Sequence, residues 1–140
     1  MKIITNADLE IAARTVWGEA RGEPRAAREA VAWVIRNRVE AEFGQFKNDI
    51  SAADACLRPW QFSCWNENDP NRVRLQEARW TDAGLLGCLA AVATAFSATK
   101  DNDPTQGAKH YHAEGINPGW AKGKVPSARI GRHVFYNTVE

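Results

Sequence analysis

Two hydrophobic periods divide the chain and constrain its fold more than any other feature. Up to about residue 99 most apolar side chains recur at helical spacing, a short stretch at 58–65 apart, and beyond residue 108 they alternate. Such a chain builds helices first and sets a small antiparallel sheet against them, an α+β domain with its sheet in the C-terminal third. Residues 5–8 read as a helix start: Thr5 or Asn6 can cap it, and Asp8 lies in the first turn, where the helix dipole favours a negative charge. Leu9, Ala12, Ala13 and Val16 continue that helix until its pattern stops near Gly22. Pro24 suits the first turn of a second helix, where its missing N–H is not needed. Ala27, Val31, Val34 and Ile35 give that helix an apolar stripe to about Val39, with Arg28, Arg36 and Arg38 pointing elsewhere.

Residues 43–47 read as a loop and 50–57 as a short helix. The segment RPWQFSCW, 58–65, alternates bulky and small residues and reads as extended; NENDPN, 66–71, is a turn-rich loop. A third strong helix spans about 82–99, burying Leu85, Leu86, Leu89, Val92 and Phe96. AKHYHA, 108–113, and RIGRHVFY, 129–136, are strand-like, with a turn at NPGW, 117–120. No repeat, linker or low-complexity tract interrupts the chain, and 140 residues suit one domain over 1–140.

The charge balance narrows the function classes. Eighteen basic against seventeen acidic residues leave a net charge of +1 with no long basic run, which disfavours nucleic acid. A short cluster of Lys122, Lys124, Arg129 and Arg132 suits muropeptide carboxylates or plain solvation. Six tryptophans serve either as core or as flat walls of a groove for sugars, bases or peptides. Three cysteines, Cys56, Cys64 and Cys88, do not make a disulfide framework and point to a reducing compartment, with one bridge left open. MKIITN at the start lacks the apolar run of a signal peptide, and no stretch approaches the roughly 20 apolar residues of a membrane span. The expectation is synthesis in the cytoplasm, no stable membrane insertion, and a monomer.

The segment WGEARGEP, 17–24, carries two glutamates four residues apart. Glu19 falls in the last turn of the first helix, where the dipole presents its negative end; with Val16 and Trp17 adding desolvation, its pKa should rise. A carboxyl group kept protonated near neutral pH can donate to a leaving oxygen. Position alone leaves the alternative of a surface carboxylate paired with Arg14 or Arg21. Glu23 sits at the start of the second helix, where the dipole keeps it ionised and capping is its expected role, with Arg21 or Arg25 as its partner.

ARTVWGEARGEP followed by AVAWVIRNRV resembles the opening of the spore-cortex-lytic (SleB-like) cell-wall hydrolases. QFSCWNENDPN, 61–71, resembles the family's middle block in phage and Gram-negative members, and GAKHYHA, NPGWA and IGRHVFY its closing blocks in order. The likeness spans roughly residues 9–137. It implies a helix-rich, lysozyme-like or lytic-transglycosylase-like domain that acts on peptidoglycan glycan strands without a cofactor. It places the catalytic glutamate at Glu19, the one after the first glycine of GEARGEP. It also suits a phage endolysin, or a phage-derived bacterial protein, that reaches periplasmic or cell-wall peptidoglycan after release.

A transglycosylase needs only one acid. The acid protonates the oxygen between N-acetylmuramic acid and N-acetylglucosamine; the resulting carboxylate then deprotonates the muramic 6-hydroxyl, which closes on C1 as a 1,6-anhydro ring. A hydrolase uses two carboxyl groups. Asp49, Asp54, Glu67, Asp69 and Glu114 are the loop carboxylates available, and none stands out. Expected substrate contacts are Gln61 and Ser63 from the extended block, Tyr111 and His112 from the sheet, and Trp65 and Trp120 stacking on sugars; packing roles stand beside these for Tyr111 and the tryptophans. On an alternating strand His110 and His112 share a face opposite Tyr111.

Other chemistries have specific signatures. His110, His112 and His133, with Cys64, would be the ligands of a zinc amidase, but no HExxH is present. DNDPTQG, 101–107, starts like a calcium loop but lacks the sixth-position glycine and closing glutamate, and reads as a helix stop. A non-enzymatic wall-binding module is separated from the enzyme by whether Glu19 is needed.

Overall fold

The computed structural model describes residues 4–58 and 61–139. The leader reading at residues 1–3 and the Pro59–Trp60 part of the extended reading lie outside them. Among the described residues five α-helices come first: α1 (Asn6–Ala20), α2 (Arg25–Val39), α3 (Ala52–Leu57), α4 (Asn71–Glu77) and α5 (Ala83–Ser97). Strands β1 (His110–Ala113), β2 (Ala128–Ile130) and β3 (His133–Tyr136) follow and form one antiparallel sheet in the order β1-β3-β2. The α+β reading holds, with the sheet where the alternating pattern put it.

Thr5 caps α1 through a capping box: its hydroxyl accepts from the Asp8 N–H at 3.2 Å while Asp8 Oδ2 accepts from the Thr5 N–H at 2.9 Å. Asp8 Oδ1 also accepts from the Ala53 N–H at 3.0 Å, tying the start of α3 to the start of α1. Both α1 and α2 pack on α5, burying Val16, Val31, Ile35, Cys88 and Val92. All three cysteines are buried free thiols.

Helix α2 departs from its expected amphipathic form. Every residue from 30 to 39 is buried, Arg36 and Arg38 included, because α5, α1 and the sheet surround it. Arg36 does not point to solvent; its Nη1 donates to the Ala95 and Ala98 carbonyls at the end of α5, which would otherwise lack partners. Asn37 Nδ2 donates to Asp103 Oδ2 at 2.8 Å and to the Ala108 carbonyl at 2.9 Å. Asp103 also accepts from the Thr105 and Gly107 N–H groups, so 101–107 is a turn organised by one buried carboxylate, as its reading as a helix stop expected.

Further expectations need correction. Leu86, expected on the buried face of α5, is exposed. Residues 61–65 are not a strand: they form a turn and a 3-10 helix (Ser63–Trp65), and the alternation arises because Phe62 and Cys64 both point into the core. RIGRHVFY is not one strand but a hairpin, β2 and β3, split at Gly131, whose φ of 58° is the left-handed conformation that favours glycine. Helix α4 was not foreseen at all. NPGW proves to lead into a 3-10 turn (Gly119–Ala121).

Candidate active site

Glu19 stands in the last turn of α1, as the sequence places it. It is partly buried and pairs with neither Arg14 nor Arg21: Arg14 binds Glu10 and the carbonyls of Leu75 and Ala78, and Arg21 lies over the Trp17 ring and reaches Asn71. Its partner comes from the sheet. The Tyr111 hydroxyl donates to Glu19 Oε1 at 3.0 Å, across 92 positions of chain. Burial raises the Glu19 pKa above its ordinary value; the Tyr111 hydrogen bond opposes this, the Asp69 charge adds to it, and the Arg38 charge opposes it. The net direction is up, so the group is poised to hold a proton. Burial also drives the Tyr111 phenol well above its usual range, keeping it a donor.

Strand register explains how Tyr111 arrives. Tyr111 pairs with Phe135 and Ala113 with His133, so Tyr111, Phe135 and His133 share the face that packs on Ala30 and Val34 of α2. The His133 ring meets the Tyr111 ring edge-on at 5.0 Å. His110 and His112 lie on the other face with Val134 and Tyr136. The three histidines therefore do not converge, and Cys64 lies elsewhere, against Gly18, which removes the geometry a zinc amidase would need.

Glycine at 18 sets the approach of the middle block. A Cβ built there would sit 2.8 Å from Cys64 Cβ and 2.9 Å from its Sγ, so only glycine lets residues 61–65 press against the end of α1. Trp65 is then fixed by its indole N–H donating to Thr15 Oγ1 at 2.8 Å. Residues 65–70, with Leu57 opposite, wall a cleft of about 740 Å³. Glu19 is not itself a wall of this cleft. Asp69 links the two, lining the cleft while its charge acts on Glu19.

The remaining expected contacts divide. Gln61 is half-buried in the turn and Ser63 is exposed at the start of the 3-10 helix, both in the block abutting α1. His112 and Trp120 are not at Glu19. His112 Nε2 meets the Tyr136 hydroxyl at 2.9 Å, Trp120 meets Tyr136 edge-on at 5.3 Å, and His112 lines a second cleft of about 510 Å³ on the opposite side of the sheet, with Lys122 and Arg129. Strand alternation sends neighbours 111 and 112 to opposite faces, so they cannot serve one groove wall.

Glu23 does not cap α2, whose cap residue is Pro24 and has no side-chain cap bond. Its Oε1 accepts the Arg132 N–H at 3.0 Å, anchoring the β2–β3 turn on the α1–α2 corner; Arg25 pairs with Glu29 instead. Of the other loop carboxylates, Asp49 is buried with Arg58 Nε at 3.5 Å, Asp54 Oδ2 accepts from the Ile50 N–H just before α3 at 3.3 Å, and Glu67 and Glu114 are exposed on the two clefts. Arg38 was missed. Periodicity assigns it to solvent, and only the surrounding of α2 on all sides turns it inward.

Tyr111→Phe tests the site's electrostatics. Removing a hydrogen bond that favours the Glu19 carboxylate moves its pKa further up. The alkaline limb of the kcat/KM profile should therefore move to higher pH. An unchanged limb in a folded variant would exclude this bond from the acid's tuning.

A cell wall hydrolase family profile matches residues 22–136, and the chain belongs to that family. The fold is that of a SleB catalytic domain. The catalytic domain of the Bacillus cereus SleB protein superposes with a TM-score of 0.73 at 25% identity, covering 97% of this chain and 94% of that one. The catalytic domain of the germination-specific lytic transglycosylase SleB from Bacillus anthracis superposes at 0.70 with 26% identity, covering 94% and 95%. The Bacillus subtilis spore cortex-lytic enzyme is 30% identical over 132 residues, and that of Halalkalibacterium halodurans 28% over 131. The chain spans only 38% and 34% of those two proteins.

Proposed function

We propose that the chain is a peptidoglycan glycosidase that cleaves the bond between N-acetylmuramic acid and N-acetylglucosamine as a lytic transglycosylase, with Glu19 as its acid and then its base. The observation that carries this reading is the setting of Glu19: a partly buried carboxyl at a helix end, its pKa raised by burial, that accepts the Tyr111 phenolic hydrogen bond at 3.0 Å. A proton on Glu19 goes to the glycosidic oxygen as the C1–O bond breaks. The carboxylate left behind accepts the proton of the muramic 6-hydroxyl as that oxygen bonds to C1, and the acid is regenerated. Tyr111 keeps the carboxylate oriented through both transfers. Residues 61–65 and the cleft walled by Trp65 and Asp69 supply the adjoining surface for sugar rings and N-acetyl groups, with Gln61 and Ser63 as the polar contacts. His112 and Trp120 belong to an outer contact on the far side of the sheet. The setting that fits best is an endolysin-type enzyme that meets the wall after release from the cytoplasm.

A hydrolytic reading is favoured by one observation: Asp69 lies on the cleft and its charge reaches Glu19. It would be the second carboxylate that positions water. Mass spectrometry of digested peptidoglycan separates the two. Anhydro-muramic ends, about 18 Da lighter than reducing ends because no water is added, are the expected product. Reducing ends alone, lost in Asp69→Asn, would establish hydrolysis, and free stem peptides from intact glycan would overturn both.

A further inference from the structure

We infer that Arg38 is a positioning residue of this site: it holds the chain leading into β1, and so the Tyr111 hydroxyl on Glu19, and its fixed positive charge stabilises the carboxylate that Glu19 becomes on giving up its proton. The inference rests on the reading of Glu19 as the acid. The geometry is that of a hub. Arg38 Nε donates to the Lys109 carbonyl at 2.8 Å, one residue before β1 and two before Tyr111. Its neighbour Asn37 holds the Ala108 carbonyl at 2.9 Å, so consecutive residues of α2 grip consecutive carbonyls. The guanidinium lies over the Phe46 ring at 4.4 Å and the Phe62 ring at 4.8 Å, which joins α2 to the 44–46 turn and to the middle block pressed on Gly18.

A cation this deep, 4% exposed, is unusual unless it is paired. Its Nη1 has no hydrogen-bond partner among the described residues. The groups that act on it electrostatically are Tyr111, Cys56, Asp49 and Glu19, and its own charge, after burial, helps lower the His110 pKa. Asp49 already lies beside Arg58, and Tyr111 and Cys56 stay neutral because burial raises both. Glu19 is the group in this set whose charge changes during the proposed reaction. Around Glu19 itself stand Tyr111, Asp69, Arg38 and the buried thiols of Cys56 and Cys64. Burial and the Asp69 charge disfavour its carboxylate; the Tyr111 hydrogen bond opposes them first, and Arg38 is the cation that adds to that opposition. An acid that must later act as base needs such a counterweight: with burial alone the proton would be held too firmly for the carboxylate to form.

Carboxyl-carbon NMR of Glu19 and the side-chain Nε–H resonance of Arg38 read this directly. In the unmutated protein the Arg38 Nε–H should move with the Glu19 titration, and that movement should vanish in Glu19→Gln. Arg38→Lys, which keeps a charge, should leave the Glu19 midpoint near its original position, whereas Arg38→Met should shift it upward and carry the alkaline limb of kcat/KM with it. An Arg38 resonance insensitive to Glu19, or equal midpoints in the Lys and Met variants, would overturn the inference. Should Arg38→Met fail to fold, the resonance test decides alone. These titrations occur whether or not Glu19 cleaves glycan, so a failed glycosidase assignment, seen as an unmutated protein inert on peptidoglycan, is distinct from a failed role for Arg38.

Discussion

Glu19→Gln should lower the rate of turbidity loss in outer-membrane-stripped cells by about 10²–10⁴-fold, the usual contribution of a positioned general acid, while the protein stays folded. The amide is nearly the same size and can still accept from the Tyr111 hydroxyl, so packing and the sheet contact survive. What it lacks is a proton to give. The same change should stabilise the fold at higher pH. Because the folded-state pKa of Glu19 lies above its ordinary value of 4.5, the folded protein binds more protons than the unfolded chain between those two points. Stability linked to Glu19 is full below about 4.5 and is lost as pH rises through the folded value. Thermal melts of Glu19→Gln should therefore run above the unmutated protein on the alkaline side of that window, and the gain should disappear in acid. Such a trade of activity against stability is characteristic of a strained active-site group and not of a surface carboxylate. A variant with full lytic activity would mean that the acid is elsewhere.

Gly18→Ala should destabilise the fold by about 1–3 kcal/mol, the range for forcing a methyl group into a packed interior, and should depress activity beyond what the folded fraction accounts for. The added Cβ would lie 2.8 Å from Cys64 Cβ, 2.9 Å from Cys64 Sγ and 3.1 Å from Leu75 Cδ2. The first of these is attached directly to the backbone of the 63–65 turn and cannot swing aside like the end of a long side chain. Relief requires moving either the last turn of α1, which carries Glu19, or the block that carries Gln61, Ser63 and Trp65. Urea titration checks the stability change, and activity under conditions where the variant is fully folded checks the displacement. Gly22→Ala is the control, since no atom lies within 4 Å of a Cβ there.

The parts of this fold legible in the sequence are those in which local signals and tertiary packing agree. Thr5 and Asp8 form the box their types suggest, the break between α1 and α2 falls at Gly22 and Pro24, and the apolar content of 82–99 makes α5. Helix α4 escaped because NRVRLQE has no apolar stripe: Leu75 is buried but Val73 is exposed. Its end is held from outside, by Arg14 Nη1 on the carbonyls of Leu75 and Ala78 at 2.7 Å each, a bond between positions more than 60 apart that no local pattern contains. The middle block misled because alternation of inward side chains is a property of strands and, over four or five residues, of turns as well. At the candidate site, the place of Glu19 in the last turn of α1 was legible from the helical pattern. Tyr111 lies on the expected strand, and the two-residue period read from the sequence already set it on the face opposite His112, so only one of the two could reach Glu19. Arg38 and the anchoring role of Glu23 were invisible, since both depend on which distant backbone group arrives: the Lys109 carbonyl for one and the Arg132 N–H for the other.

The titration midpoint of the Glu19 carboxyl carbon, followed by NMR in the unmutated protein, tests the central claim most directly. A midpoint above the ordinary 4.5, coinciding with the alkaline limb of kcat/KM on peptidoglycan, is the predicted result. A midpoint at or below 4.5 would contradict it, since the side chain would then carry no proton to donate at the pH where the wall is cut.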